Sequence, residues 1–288
     1  MQPDHHLLSA TAARSDAAIV IVLFHPSASD LANLVRMARW GALVVAVVNE
    51  ADDVGRDAAL ASGAQVILNT ENLGLARALN QGIAAAFDGG AGYVLLLDQD
   101  SRPRADMFDR LLGVARVIEA EGRALACVAP VLRDRKATTD LAESATFATS
   151  GTLLTRVGWD RVGQMWEALF IDGIDHEWCF RARARGLETV QVGDAVLEHD
   201  MGEGGINVLG RYRPLHRSPV RHYYIVRNTL WLARKRYIPI GWRLRETIKL
   251  AYRVPAYVLV SSERAQTVRN LAAALADGIA ETRRRCPA

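Results

Sequence analysis

The sequence predicts an α/β protein with a mostly parallel central sheet flanked by helices, and three observations carry that expectation. Four strongly apolar runs stand in its first third: Ala18–Phe24, Leu43–Val48, Ala64–Leu68 and Tyr93–Leu97. Turn and helix signals separate them. The fourth run is apolar throughout, as suits a strand covered on both faces, yet it ends in two carboxylates, Asp98 and Asp100, with only Gln99 between. Strands alternating with helices wind right-handed into a parallel sheet, and ligands of such sheets gather outside the carboxyl ends of the strands.

The elements follow in order. Asp30 is placed to cap a helix running toward Trp40, with Leu31, Leu34, Val35 and Ala38 at helical spacing. After the third strand, Asn72 and Gly74 open a helix on which Leu75, Leu79, Ile83 and Phe87 recur every fourth residue, and Gly89-Gly90 ends it. Ala124–Pro130 and Phe147–Thr155 read as further strands, and the polar stretch 131–144 between them as a mobile loop. Asp175–Arg185 reads as a helix stopped by Gly186, followed by two short strands, "ETVQV" and "AVLEH". From Ser218 onward the chain turns helical and basic. The expected division is a catalytic domain over 1–217, with a flexible N-terminus over about 1–16, and a helical basic extension over 218–288.

Composition narrows the class. Half of the 288 residues are hydrophobic and 23% are charged, which excludes wholesale disorder. Cys127, Cys179 and Cys286 lie far apart in no metal-binding spacing; they read as reduced thiols and point to the cytoplasm. The N-terminal residues show no basic-then-apolar pattern, so no signal peptide is expected. No apolar run approaches the ~18 residues of a membrane span. Charge is lopsided: 211–253 holds twelve Lys/Arg and one acid, a local +11 in a chain of net +3, leaving −8 for the rest. Such a segment suits an anionic surface, the inner face of the cell membrane being one.

The strand ends supply the chemistry. The first delivers Phe24 and His25, the second Asn49, Glu50, Asp52 and Asp53, the third Asn72 and Gly74 at a helix start, the fourth Asp98 and Asp100. A helix N-terminus beside glycine lets backbone N–H groups approach an anion. Two adjacent carboxylates repel unless a cation sits between them, and hard divalent cations take carboxylates together with phosphate oxygens. An isolated Asp-x-Asp is by default a turn or a cap. Placed in this order on successive strand ends, the pieces describe a site for a nucleotide-diphosphate donor.

The residues then resemble a family. "NTENLGLARALNQGI", "GYVLLLDQDSRP", "FIDGIDHEWCFRARARG", "LEHDMGE" and "HRSPVRHYYIVRN" occur in order and resemble glycosyltransferase family 2, more narrowly bacterial rhamnosyltransferases that use dTDP-L-rhamnose. The resemblance spans about Ile19 to Arg236. It implies a GT-A fold, a divalent cation (Mg²⁺ or Mn²⁺) and inverting transfer to a saccharide or glycolipid acceptor for cell-surface polysaccharide or rhamnolipid. By the same resemblance Asp98 contacts the donor ribose or the metal, Asp100 ligates the metal, and His199 completes its shell. Phe24, His25, Asn49, Asn72 and Gly74 serve the nucleotide sugar, as do Arg221 and Tyr224. Gly151 and Trp178 lie at the acceptor side, and Asp175 matches the catalytic base, with Asp172 next in line. Where many relatives have Glu before that Asp, this chain has Ile174. Without the resemblance, Asp175 reads as an N-cap or first-turn Asp, and Arg221, Tyr224 and Arg227 as a solvated basic helix face. A family 2 enzyme using another nucleotide sugar is one rival reading. A basic nucleic-acid-binding module, with aromatics interleaved along 211–253, is another. The acidic strand ends argue against it, and no nucleic-acid partner is expected.

Overall fold

A computed structural model describes residues 14–132, 141–143, 146–197, 206–208, 211–213 and 218–280. The first half alternates strictly: β1 (Ala17–Leu23), α1 (Ala28–Ala38), β2 (Leu43–Asn49), α2 (Asp53–Leu60), β3 (Gln65–Asn69), α3 (Leu75–Asp88), β4 (Tyr93–Asp98), α4 (Ala105–Ala120) and β5 (Leu125–Leu132). Then follow β6 (Leu141–Glu143), β7 (Leu153–Thr155), α5 (Arg156–Val162), a 3₁₀ turn (Glu167–Leu169), α6 (Ile174–Ala184) and β8 (Glu188–Leu197). A two-stranded ribbon of β9 (Ile206–Val208) and β10 (Arg211–Arg213) precedes α7 (Pro219–Leu232), α8 (Ile240–Val260) and α9 (Arg264–Ala280).

Eight strands form one sheet in the order β3-β2-β1-β4-β7-β5-β8-β6. β1 pairs in parallel with β2 and β4, and β2 with β3. β7 runs antiparallel between β4 and β5. Alternation along the strands sorts side chains onto two faces. Val20, Val47 and Leu96 face α3, α6 and α7 through Leu79, Ile83, Trp178 and Trp231. Ile21, Val48 and Leu97 face α1 and α4 through Leu34, Met37, Phe108 and Leu111. Each fully buried aliphatic side chain stabilises by about 1.5–3 kcal/mol, and all seven residues of β1 are buried.

Several local expectations change. α1 is capped by Ser27, and Asp30 closes a capping box from the third position: Asp30 N–H donates to Ser27 Oγ (3.3 Å) and Ser27 N–H to Asp30 Oδ2 (2.9 Å). Of the expected strand Phe147–Thr155 only the last three residues pair as a strand. Gly151 sits at φ 86°, and Thr152 Oγ donates to Ala148 O (2.7 Å), so the preceding segment turns instead. "ETVQV" and the first three residues of "AVLEH" merge into β8, which shifts register against β5 between Pro130 and Val131. Most of the polar stretch 131–144 lies outside the described residues, as do His199 and Cys286. Cys127 and Cys179 are buried free thiols. A hydrogen bond between them, together with burial, pushes the Cys127 thiol up.

Candidate active site at the carboxyl edge of the sheet

The ends of β1 and β2 are locked by backbone in an uncommon conformation. His25 (φ 44°) and Glu50 (φ 84°) are both left-handed, and His25 N–H donates to Glu50 O at 3.1 Å. Non-glycine residues hold such torsions only where their surroundings impose them, and functional edges are a common place for it. Phe24 is 43% exposed and meets the His25 ring edge-on at 4.4 Å, leaving an aromatic surface open at the strand end.

Asn49, by contrast, is buried and fully used. Its Nδ2 donates to Asn72 Oδ1 (2.9 Å), while its Oδ1 accepts from Leu73 N–H (3.0 Å) and Asn69 Nδ2 (3.2 Å). Asn72 Oδ1 also accepts from Gly74 N–H (2.9 Å). The Asn49 amide therefore shapes the loop into α3. Gly74, at φ 87°, starts α3 with no side-chain cap, and a Cβ there would stand 2.5 Å from Cδ2 of Phe170.

At the end of β4, Gln99 does what its two acidic neighbours cannot. Its Oε1 accepts from Phe24 N–H (2.7 Å) and its Nε2 donates to Asp30 Oδ2 (3.3 Å), tying β4 to the β1–α1 loop. Asn33 Nδ2 donates to Ser101 O (2.7 Å), and Ser101 and Ser150 share a 2.6 Å hydroxyl contact. Ser150 Oγ in turn accepts from Asp98 N–H (3.2 Å). Asp98 shares the Leu96 face of the strand. Asp100 lies half-buried beyond it and accepts no hydrogen bond among the described residues. Gly151 lies against Pro130 and Leu197, where a Cβ would come within 2.7 Å of Pro130 Cγ. Its small size serves that packing.

Asp175 sits in the first turn of α6, whose N-cap is Gly173 at φ 82°, so the N-cap reading is replaced by a first-turn one. Its Oδ1 accepts from His176 N–H (2.8 Å). Asp175 lines a small cleft with Leu96, Thr149, Thr152, Met165 and Trp178. Trp178 is 1% exposed, and its indole N–H donates to Gly163 O at 2.9 Å. Glu177 is spent on Arg181 (2.8 and 2.9 Å) and the Tyr237 hydroxyl (2.6 Å). Burial and that carboxylate push the Tyr237 hydroxyl up.

Residues 44–170 match the model of Glycosyl transferase family 2. Over that span the chain is similar to family 2 glycosyltransferases. The matched span takes in Asn49, the Asn72–Gly74 loop, Asp98–Asp100 and Gly151, and stops before Asp175. The transferase is 28% identical to the dTDP-rhamnosyl transferase RfbF of Shigella flexneri over 285 residues, covering 90% of this chain and 94% of that one. Its fold is that of S. aureus TarS, residues 1–349 (TM-score 0.56, 12% identity, 92% of this chain and 81% of that one). It is also that of GalNAc-T7, a structure holding UDP, GalNAc and Mn²⁺ (TM-score 0.53, 14% identity, 92% and 58%).

In this glycosyltransferase the loop before Asp175 is held from α7. Phe170 (φ 65°), Asp172 (φ 66°) and Gly173 are left-handed. Asn228 Nδ2 donates to the carbonyls of Leu169 (2.9 Å), Ile171 (2.8 Å) and Asp172 (2.8 Å). Arg227 Nη2 donates to Ala168 O (2.6 Å) and Leu169 O (3.1 Å). Its guanidinium sits 5.4, 4.7 and 4.2 Å from the rings of Tyr223, Tyr224 and Trp231. Arg221 binds Asp172 with both Nε (3.0 Å) and Nη2 (3.0 Å).

This replaces the reading of α7 as a solvated basic face. Tyr224 is 2% exposed and stacks on Phe170 at 4.7 Å, and Arg227 is 1% exposed. Nor is there a solvated basic face with aromatic platforms, because Tyr223, Tyr224 and Trp231 are all buried. The Tyr223 hydroxyl donates to Asp277 (2.7 Å), and burial with that carboxylate pushes it up to about 12. Gln99, Asn33, Ser150 and Asn228 were missed as site-building residues; the Gln between two aspartates was the visible signal for the first.

Proposed function

We propose that the enzyme transfers L-rhamnose from dTDP-L-rhamnose to a hydroxyl of a saccharide or glycolipid acceptor, with inversion at the anomeric carbon. The observation that carries this reading is the shared edge: Asp98 follows Leu96 on one face of β4, and Leu96 lines the cleft that holds Asp175. A donor bound over the strand end would thus lie beside a carboxylate on a separately anchored loop.

The donor's thymine meets Phe24 and His25, its diphosphate lies toward the uncapped start of α3, and Asn49 acts through the Asn72–Gly74 loop that it shapes. Arg221 acts indirectly too, by holding Asp172. Asp175 takes the acceptor hydroxyl proton as the oxygen bonds to the anomeric carbon. The bond from that carbon to the phosphate oxygen breaks, and its electron pair leaves with dTDP. A positioned base of this kind contributes roughly 10²–10⁴-fold.

Asp98 and Asp100 fit a divalent cation by donor type, since both offer hard carboxylate oxygens and that of Asp100 is unspent. Among the described residues no cluster of three metal-ligating side chains forms, and the third ligand implied by the resemblance, His199, lies outside them. A bound Mg²⁺ or Mn²⁺ supplies charge neutralisation for the departing diphosphate. We place the enzyme in the cytoplasm, peripheral on the inner face of the membrane.

Thermal shift with nucleotide sugars tests donor and cation together, because a ligand bound only by the native state raises the melting point. dTDP and dTDP-L-rhamnose with Mn²⁺ should stabilise more than UDP or GDP sugars. Equal shifts from all of them would favour another donor.

A further inference from the structure

α8 packs Leu250 and Tyr257 inward, yet it presents a second apolar stripe outward, which a surface helix ordinarily lacks. Such helices turn an apolar stripe toward the core and a polar face toward water. In α8 the inward side carries Glu246, held by Lys249 (2.7 Å) and Arg253 (3.3 Å), and Trp242, Glu246, Arg253 and Tyr257 line a cavity with Asp172 and His176. Outward stand Ile240 (59% exposed), Leu244 (56%), Ile248 (68%), Tyr252 (54%) and Leu259 (71%). Exposed Ala251 and Pro255 fill the gaps between them. At the helical repeat these seven positions fall within an arc of about 120°. Single exposed apolar residues are ordinary; a continuous stripe of them marks a surface that something covers.

Charge decides what covers it. Between Ala233 and Val260 there are seven Lys/Arg and one acid, Glu246, which is turned inward. Arg245 borders the stripe with its side chain 61% exposed. Two copies pairing through this face would set like charges against each other, which suppresses association. An anionic bilayer accepts both parts, the stripe among the acyl chains and the cations at the phosphates. No helix among the described residues is long and apolar enough to cross a membrane, so the contact is interfacial.

We propose that α8 is a lipid-docking helix that lays Ile240, Leu244, Ile248, Tyr252 and Leu259 into the headgroup boundary of an anionic membrane. This rests on the peripheral location put forward above and gives it a surface and a lipid class. It also moves the contact away from 211–253 as a whole, since Arg221 and Arg227 are committed inward.

Flotation of the full chain with vesicles tests it, with dTDP-induced thermal shift measured on the same preparations. The chain should float with phosphatidylglycerol-containing vesicles at low salt and far less with phosphatidylcholine alone. L244E/I248E should weaken partitioning by about a hundredfold or more, as expected for two apolar side chains kept from lipid, with melting point and dTDP shift unchanged. R245Q should weaken it at low salt only. Absence of flotation by the wild type overturns the proposal, as does wild-type flotation by L244E/I248E. A dimer dissolved by L244E, without vesicle binding, would assign the stripe to a second copy instead. Flotation intact with no dTDP shift would sustain the docking helix while removing the donor assignment.

Discussion

Replacing Asp175 with Asn isolates one proton acceptor. The carboxylate lies in the first turn of α6, and its Oδ1 accepts from His176 N–H at 2.8 Å. The Asn amide oxygen can keep that bond. What is lost structurally is a negative charge near a helix N-terminus, about 0.3–1 kcal/mol. For a chain of this length that lowers the melting point by no more than about 4 °C. Loss of a positioned base costs far more, roughly 10²–10⁴-fold in turnover. The assay is transfer under saturating dTDP-L-rhamnose, with melting point and dTDP affinity measured on the same purified variant. D175N should fold, bind dTDP like the wild type and barely turn over. Near-wild-type turnover would refute the base assignment, and the first-turn contact would then be its whole role. Lost dTDP affinity, partly restored by excess Mn²⁺, would refute it differently, by making Asp175 a metal ligand.

Three further outcomes are expected. D100A should leave the unliganded melting point nearly unchanged, because the carboxylate has no partner to lose among the described residues, and should abolish the Mn²⁺-dependent part of dTDP stabilisation in thermal shift. Gly74→Ala forces a left-handed alanine at φ 87° against the Phe170 ring; together, torsion and overlap should cost about 2–4 kcal/mol by denaturant melts, with a raised donor KM. Arg227→Ala removes hydrogen bonds to Ala168 O, Leu169 O and Asn228 Oδ1 together with three ring contacts. It should destabilise by about 3–5 kcal/mol in the same melts, and kcat should fall although the residue touches no substrate.

β1, β2 and β4 were legible because a strand buried on both faces is a continuous apolar run, and the carboxylates ending β4 break that run abruptly. β3, exposed at the sheet edge, was legible only from its short apolar core. α3 was legible from its four-residue apolar repeat. The loop Phe170–Gly173 was not, since its left-handed torsions are imposed by Asn228 and Arg227, more than fifty residues downstream. Sequence pattern marks residue types at a strand end but not which amides are already spent. The internal hydrogen bonds of Asn49 and Arg221 and the stacking of Tyr224 on Phe170 were therefore not legible. Gly151 illustrates the same limit: its packing against Pro130 and Leu197 could not be read from the sequence.

The Arg227–Asn228 clamp has a consequence for the order in which the enzyme comes to life. Domains fold from the N-terminus as the chain is made. The edge that carries Asp98 and Asp100 is complete when β7 has emerged, but the loop leading to Asp175 waits for α7, and α7 is itself anchored by α9 through Tyr223–Asp277 and the Trp231 indole on Asp277 O. A nascent or C-terminally clipped chain would thus complete the edge with Asp98 and Asp100 before Asp175 was seated. Seating of that loop would come only once α9 is in place, a delay written into the order of the chain.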